Sequence, residues 1–455
     1  MQKKILAIIA VVIVVIAAFA AWQFYPTTTK HEIKIGLVAP ISGQPIGQDM
    51  LRAAELAVKE INDAGGIYVA SWNAYATVRI VTADTVDDAP GNAVTPVTRA
   101  IETDQVDLLI GGYGSAGTLA NEVVAIENKV PYIITGASND LVTRRGPQGN
   151  YRGLDPTSPQ AIADAEGMSY VFHYCTTTYQ YSKTIIDFFN EVMKPIVAPD
   201  RDFRLAILYR NDAFGTGVEK AALFWIADGN LPIEVVADRS YDPKTTNYQT
   251  DLTAIAAAHP DAVFVVDNPD KTPLIMKQGW SEVGLKTVYM AVENNQDHVF
   301  YQLLGSTGAG QVLESKMDPF MVPSYLPAVE EYTEKFYAAY GVMPGMMGAG
   351  TYDAFYIAKN AIETAGTVDK AAVREAIENC NMNQMLIMTE TGKIEFSTGG
   401  NYHEIQPVTF IEQTYWDQAA NALKAKIIWP QTAPGIGTLK QADFVLPEGY
   451  QAGYP

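Results

Sequence analysis

The sequence predicts an α/β protein with two lobes, each built on a mainly parallel sheet. Three observations carry this. From about residue 32 onward, β-rich apolar runs alternate with segments of helical periodicity. The runs are apolar throughout rather than alternating, as strands covered on both faces are. The series stops and restarts near residue 203. The chain has 455 residues, 48% of them apolar, enough for more than one core.

Taken in order, 33–39 reads as the first strand. A helix follows over 48–63, with Leu51, Ala54, Val58 and Ile61 on one face and Gly65-Gly66 as its stop. Residues 67–69 and 77–82 suit a hairpin. A helix is expected over 89–103, where Pro96 is a weakness. Strand 106–110, helix 119–128 and strand 132–135 complete the first series. The second runs through strand 205–209, helix 215–228, strand 233–238, a helix near 248–259, strand 262–266, helix 273–283 and strand 287–291. Helices are expected again at 329–340, 352–365 and 368–379. The stretch 431–455 is rich in Gly and Pro and reads as a surface tail.

Lys3 and Lys4 precede an apolar run from Ile5 to Trp22. That pattern is a membrane anchor or an export signal cleaved near Ala18-Phe-Ala20. Pro26 to Lys30 then forms a spacer, and the remainder is expected outside the cytoplasm, in the periplasm or at the cell surface. The net charge of −19 disfavours nucleic acid as a partner. Cys175 and Cys380 are expected as two buried thiols rather than a disulfide.

In open α/β sheets, ligands bind beyond the carboxyl ends of the strands. One set of ends is small and hydroxylic: Pro40 to Gly43, Gly111 to Thr118, and Thr135 to Asn139. The other set carries carboxylates and aromatics: Asn211 to Phe214, Asp267-Asn268 and Val292 to Asn294. Ser115, followed by a helix start, suits a carboxylate. Glu293 suits an ammonium group. The two sets together suit a zwitterion held between two lobes.

Catalytic patterns are incomplete. Gly112-x-Gly114-x-x-Gly117 matches a dinucleotide fingerprint, but in the fourth strand unit rather than the first, and without the following acid. Ser115 lacks a nucleophile elbow and no histidine is singled out as a base. Asp84, Asp87 and Asp88 read as a solvated loop rather than a calcium site. No metal spacing and no cofactor motif are present in the sequence, so a binding protein is expected rather than an enzyme.

The opening Ile33 to Gly43, with Ala53 to Ala57, Glu60 to Gly66, the 106–118 segment, Val130 to Ser138 and Gly350 to Ala354, resembles the type I periplasmic solute-binding proteins. The resemblance is to the branched-chain amino-acid (Leu/Ile/Val) group of ABC transporters and spans about 32–430. It implies two Rossmann-like lobes joined by three hinge crossovers, near 170–176, 312–319 and 391–396. Lobe 1 would hold 32–171 and 320–390, and lobe 2 would hold 172–319 and 391–430. It also implies capture of a small amino-acid-like ligand for a membrane permease. Ser115, Ala137, Ser138 and Asn139 would grip the carboxylate and Glu293 the ammonium. Phe214, Tyr113 and Asn268 would pack the remainder. Phe214 stands where the family often has a tyrosine, keeping the stacking wall without its hydroxyl, and Asn268 where an aromatic is usual, which leaves an amide or another carboxylate as an alternative ligand. A ligand-sensing ectodomain is the alternative role.

Overall fold

The computed structural model describes residues 31–317 apart from 153, and 326–451 apart from 435. The apolar run 5–22, the spacer 26–30, the end of the 312–319 crossover and residues 452–455 lie outside the described residues. Among the described residues, no helix is long and apolar enough to cross a membrane.

The first sheet contains β1 (His31–Ala39), β2 (Ile67–Val69), β3 (Ala74–Asp84), β4 (Leu108–Gly111), β5 (Tyr132–Ile134) and β6 (Val171–His173), in the order β2-β3-β1-β4-β5-β6. Only β2 runs antiparallel, as the expected hairpin with β3. The period of two along β1 divides it between two cores. Ile33, Ile35 and Leu37 pack with Met50, Ala53 and Phe355, from helices Pro45–Asp63 and Met346–Ala365. Val38 packs on the other face with Val97 and Ala125, from helices Pro90–Glu102 and Ser115–Glu127. The first sheet runs past the boundary expected at 171, to His173.

The second sheet contains β7 (Phe203–Arg210), β8 (Ile233–Tyr241), β9 (Ala262–Val266), β10 (Val288–Ala291) and β11 (Val312–Ser315), all parallel. The chain then returns to the first lobe, where Val329, Tyr332 and Phe336 of helix Pro327–Tyr340 join its core. A short pair, β12 (Met382–Asn383) with β13 (Lys393–Ile394), follows. Finally β14 (Phe410–Asp417) and β15 (Ala422–Trp429) add an antiparallel edge beside β11. The order is β15-β14-β11-β10-β9-β7-β8.

Strands β6, β11, β14 and β15 and helices Thr178–Phe188 and His298–Leu304 are not among the expected elements, and other elements begin or pack differently. The Ser115 helix starts four residues before Leu119, because its glycine lets it pack against the neighbouring Asp88 turn. The Met346 helix likewise starts before Tyr352, through small residues that lie against Asp49 and Thr135. The segment expected as a surface tail is packed instead. Leu439 is fully buried, Phe444 meets Phe188 edge-on at 5.6 Å, and the Tyr450 hydroxyl donates to the Asp261 carbonyl at 3.2 Å. Its Gly/Pro content masked these apolar anchors.

The crossing segments are fastened by Arg144 and Glu404, both with fully buried side chains. Nε donates to Oε1 at 2.5 Å and Nη2 to Oε2 at 2.6 Å, while the Thr143 hydroxyl adds a third donor at 3.0 Å. Glu404 pairs in backbone register with His173. The His173 ring lies 2.6 Å from the Ala137 carbonyl, and burial pushes its pKa down to about 4.

Candidate functional site

The strand ends converge on a cleft between the two sheets. On the first side, β4 runs into Gly111 (φ +117°) and Gly112 (φ +77°), conformations that need glycine. The chain then turns at Gly114 into the Ser115 helix. Gly114 and Gly117 serve close packing rather than a dinucleotide. A Cβ on Gly114 would lie 2.4 Å from Asp88 Cβ, and one on Gly117 2.4 Å from the Asp88 carbonyl oxygen. Of the acids at 84–88, Asp87 is exposed and Asp84 half-buried, as a solvated loop requires, but Asp88 is not. Asp88 is buried, accepts the Gly114 N–H at 2.9 Å and is bonded by the Thr85 hydroxyl, and burial raises its pKa to about 6. Among the described residues, no group of His, Cys, Asp and Glu is placed to hold a metal ion.

Ser115 is the first residue of its helix, which has no side-chain cap. Its Oγ accepts the Asn139 N–H at 3.3 Å. A hydroxyl beside an uncapped helix start favours negative charge.

Ser115, Ser138, Tyr113, Phe214, Asn268 and Glu293 line one cavity. These are six of the eight residues expected from sequence, and they come from both sides. The other two lie elsewhere. Ala137 is fully buried, with its N–H donated to the Gly112 carbonyl at 2.8 Å and its own carbonyl against His173, so its backbone has no donor for a carboxylate. Asn139 turns away and donates from Nδ2 to the Ala213 carbonyl at 2.7 Å, a bond between the two lobes.

The cavity has about 50 Å³ of free space, room for little more than one or two waters at ~30 Å³ each. The chain's own groups fill the rest. The Tyr113 hydroxyl donates to Asn268 Oδ1 at 3.0 Å, Asn294 Nδ2 reaches both, and Asn268 Nδ2 donates to Gln44 Oε1 at 3.4 Å. Arg210 also lines the cavity, tied to Asp212 at 2.6 Å and Asp267 at 3.3 Å.

Glu293 faces the cavity but is not a bare carboxylate. Lys316, 1% exposed, places Nζ 3.6 Å from its Oε2. Cys175 Sγ lies 3.5 Å from Glu293 Oε1 and 3.5 Å from Lys316 Nζ. Burial opposes charge on Lys316, but Cys175 and Glu293 outweigh it and hold the ammonium above its ordinary pKa. Nearby Glu314 is pushed well up by burial and by Glu293. Cys175 and Cys380 are both buried and free, as expected.

Sequence reasoning missed Lys316, Arg210 and Gln44, and gave Asp88 and Asn294 no role in the site. Lys316 left no signal, since it closes the polar run Glu314-Ser315-Lys316, which reads as exposed although all three are buried. Its partner, at position 293, was not readable from spacing.

The site is thus a polar cavity where the facing strand ends of two α/β lobes meet. The chain belongs to the periplasmic binding protein family, whose sequence profile matches residues 32–414. It is a binding protein of the type I fold, not an enzyme, and membership implies an extracytoplasmic place of work. It is 24% identical over 367 residues to Leu/Ile/Val-binding protein homolog 7 of Brucella abortus (strain 2308), covering 79% of this chain and 84% of that one. Its fold matches the branched-chain amino acid transporter substrate-binding protein LivJ of Streptococcus pneumoniae, solved with isoleucine. The TM-score is 0.69 at 17% identity, over 88% of this chain and all of that one. It also matches an ABC transporter solute-binding protein of Rhodopseudomonas palustris BisB5, solved with 3,4-dihydroxybenzoic acid. Here the TM-score is 0.70 at 19% identity, over 92% of this chain and 99% of that one.

Proposed function

We propose that this protein is the substrate-binding component of an ABC transporter, capturing a small carboxylate-bearing solute and delivering it to a membrane permease. Capture is by closure of two bodies, one built on the first sheet and one on the second, over the cleft. The N-terminal segment tethers it to the membrane or is removed on export. The observation that carries this reading is that Ser115 and Tyr113 from one side and Phe214, Asn268 and Glu293 from the other line a single cavity. A ligand touching both sides stabilises the closed arrangement over the open one, which the permease can then distinguish.

The amino-acid version gives Ser115 the carboxylate and Glu293 the ammonium. A relative named for Leu/Ile/Val binding and a fold neighbour solved with isoleucine support it. A second version takes an acid without an α-amino group. Lys316 favours it, because the buried ammonium already beside Glu293 leaves that carboxylate less free to draw a second one. A fold neighbour solved with 3,4-dihydroxybenzoic acid is in keeping with that.

Matched pairs separate the two: leucine against 4-methylpentanoate, and phenylalanine against 3-phenylpropanoate, by thermal shift and calorimetry. Stabilisation by the amino acids alone, lost in Glu293→Gln, supports the first version. Stabilisation by the amino-free acids alone supports the second. No stabilisation by either set, or by a wider panel of metabolites, overturns solute capture in this cleft.

A further inference from the structure

A second space lies along the same seam, with about 640 Å³ of free volume, within the range of small-molecule pockets. Leu119 and Ala120 of the Ser115 helix form one wall. Ala221 and Phe224 of helix Ala213–Asp228, in the other lobe, form the opposite wall. Phe224 is 44% exposed, a large apolar surface left open to this space.

The charge of the chamber is opposite to that of the chain. Arg145, Arg152 and Lys220 line it against one carboxylate, Asp140, whose proton is held more tightly by burial. The protein as a whole carries −19. The Arg152 guanidinium lies 3.2 Å from the centroid of the Tyr179 ring, which fixes its plane. Its Nη1 is buried without an acceptor among the described residues, and so is Nε of Arg145. Arg145 is 6% exposed, and its Nη2 is already committed to Glu122 Oε1 and the Leu119 carbonyl, each at 2.5 Å. Buried guanidinium N–H groups without acceptors are costly and are normally satisfied. Between apolar walls, the head of a bound anion would satisfy them.

We propose that this chamber is a second binding site, distinct from the cleft, for an organic anion with an apolar body. The carboxylate meets Arg152 and Arg145, and the aryl or alkyl part lies between Leu119 and Phe224. Ala116 borders both spaces, and the Asn139–Ala213 hydrogen bond lies at the chamber wall, since Asn139 and Ala213 line the chamber and not the cleft. The occupant touches both lobes and therefore strengthens the closed seam. By linkage, it and a cleft ligand raise one another's affinity. That coupling rests on the closure reading above; the binding itself does not.

The test is calorimetry and ligand-observed NMR on the full-length protein with 4-phenylbutyrate, with the chamber variant Ala120→Trp distinguishing binding in the chamber from binding in the cleft. Saturable binding is expected. Ala120→Trp, which fills the chamber, should abolish it, and Arg152→Gln should weaken it about tenfold or more. Absence of saturable binding up to millimolar probe overturns the site, as does binding unchanged in both variants. If no metabolite stabilises the protein through the cleft while 4-phenylbutyrate still binds and Ala120→Trp removes it, the cleft reading fails and the chamber stands.

Discussion

The two ends of the interlobe seam are built from different chemistry. Where the chain crosses between lobes, Arg144 and Glu404 meet bidentately with no exposure, and Thr143 completes the carboxylate's partners. At the cleft, the lobes meet through neutral side chains: Tyr113 to Asn268, Asn294 to Tyr113, and Asn139 to a backbone carbonyl. Breaking a buried ion pair strands a charge and costs about 3–5 kcal/mol, whereas a neutral hydrogen bond nets about 1 kcal/mol against water. One end is therefore costly to break, while the other is held by bonds of a kind that water or a ligand can replace.

The comparison breaks most visibly at its strong end. Glu404→Ala should cost about 3–5 kcal/mol in denaturant unfolding, because Arg144 is left buried and unpaired. A loss below about 1 kcal/mol would mean that the crossings are held by packing alone. The next effect lies behind the cleft. Lys316→Met should cost about 1–3 kcal/mol by leaving Glu293 uncompensated, and adding Glu293→Gln should recover most of the loss. Equal loss in the single and double variants would show that Lys316 serves volume rather than charge.

A third contact tests the seam by pH. Asp49, from the first lobe, accepts the Gly345 N–H at 2.9 Å and the Gly348 N–H at 2.7 Å. A Cβ built on Gly345 would lie 2.9 Å from an Asp49 oxygen and 2.8 Å from an Asp297 oxygen, which brings carboxylates of the two lobes around one point. Burial, then the charge of Asp297, raises Asp49 from 3.8 to about 7. A raised carboxyl keeps its proton in the native state, so its unfavourable charging appears as pH rises through the unfolded value and beyond. Native stability should therefore fall between about pH 4 and pH 7. Asp297→Asn should flatten that fall in melting curves, and an unaltered slope would exclude the pair as its source. The smallest change is at the clasp itself. Tyr113→Phe removes bonds worth about 0.5–1.5 kcal/mol and should shift the ligand-free protein toward the open arrangement, read as a larger radius of gyration in solution scattering.

The sequence made the sheets legible because apolar runs and glycine stops are local signals. It placed the Ser115 and Glu293 loops at strand ends for the same reason. The bonding of Ala137 and Asn139 was hidden: both stand in a small polar loop, and only its partners, His173 and Ala213, decide which groups face the cleft. The role of Gly114 and Gly117 was hidden likewise, since the Asp88 turn against which they pack comes from another loop. Glu293 was identified as a charge but not as a paired one, because Lys316 arrives from the next strand unit and meets it only in three dimensions. The packed end of the chain was misjudged because Gly and Pro were weighed above Leu439, Phe444 and Tyr450.

The late edge of the second sheet bears on how the chain matures. β11 ends at Ser315, but the strand that covers it begins at Phe410, after a return through the other lobe. The first five strands of the first sheet are complete by Ile134, and its sixth by His173. In a chain delivered from its N-terminus, the first sheet has its strands early but lacks the cover of helix Met346–Ala365, while the second must keep β11 as an open edge until the final hairpin arrives. An open edge recruits whatever strand is nearest. Interruption of synthesis between 316 and 410 should thus yield aggregation rather than a smaller soluble protein, and a holding partner during export would act on that interval.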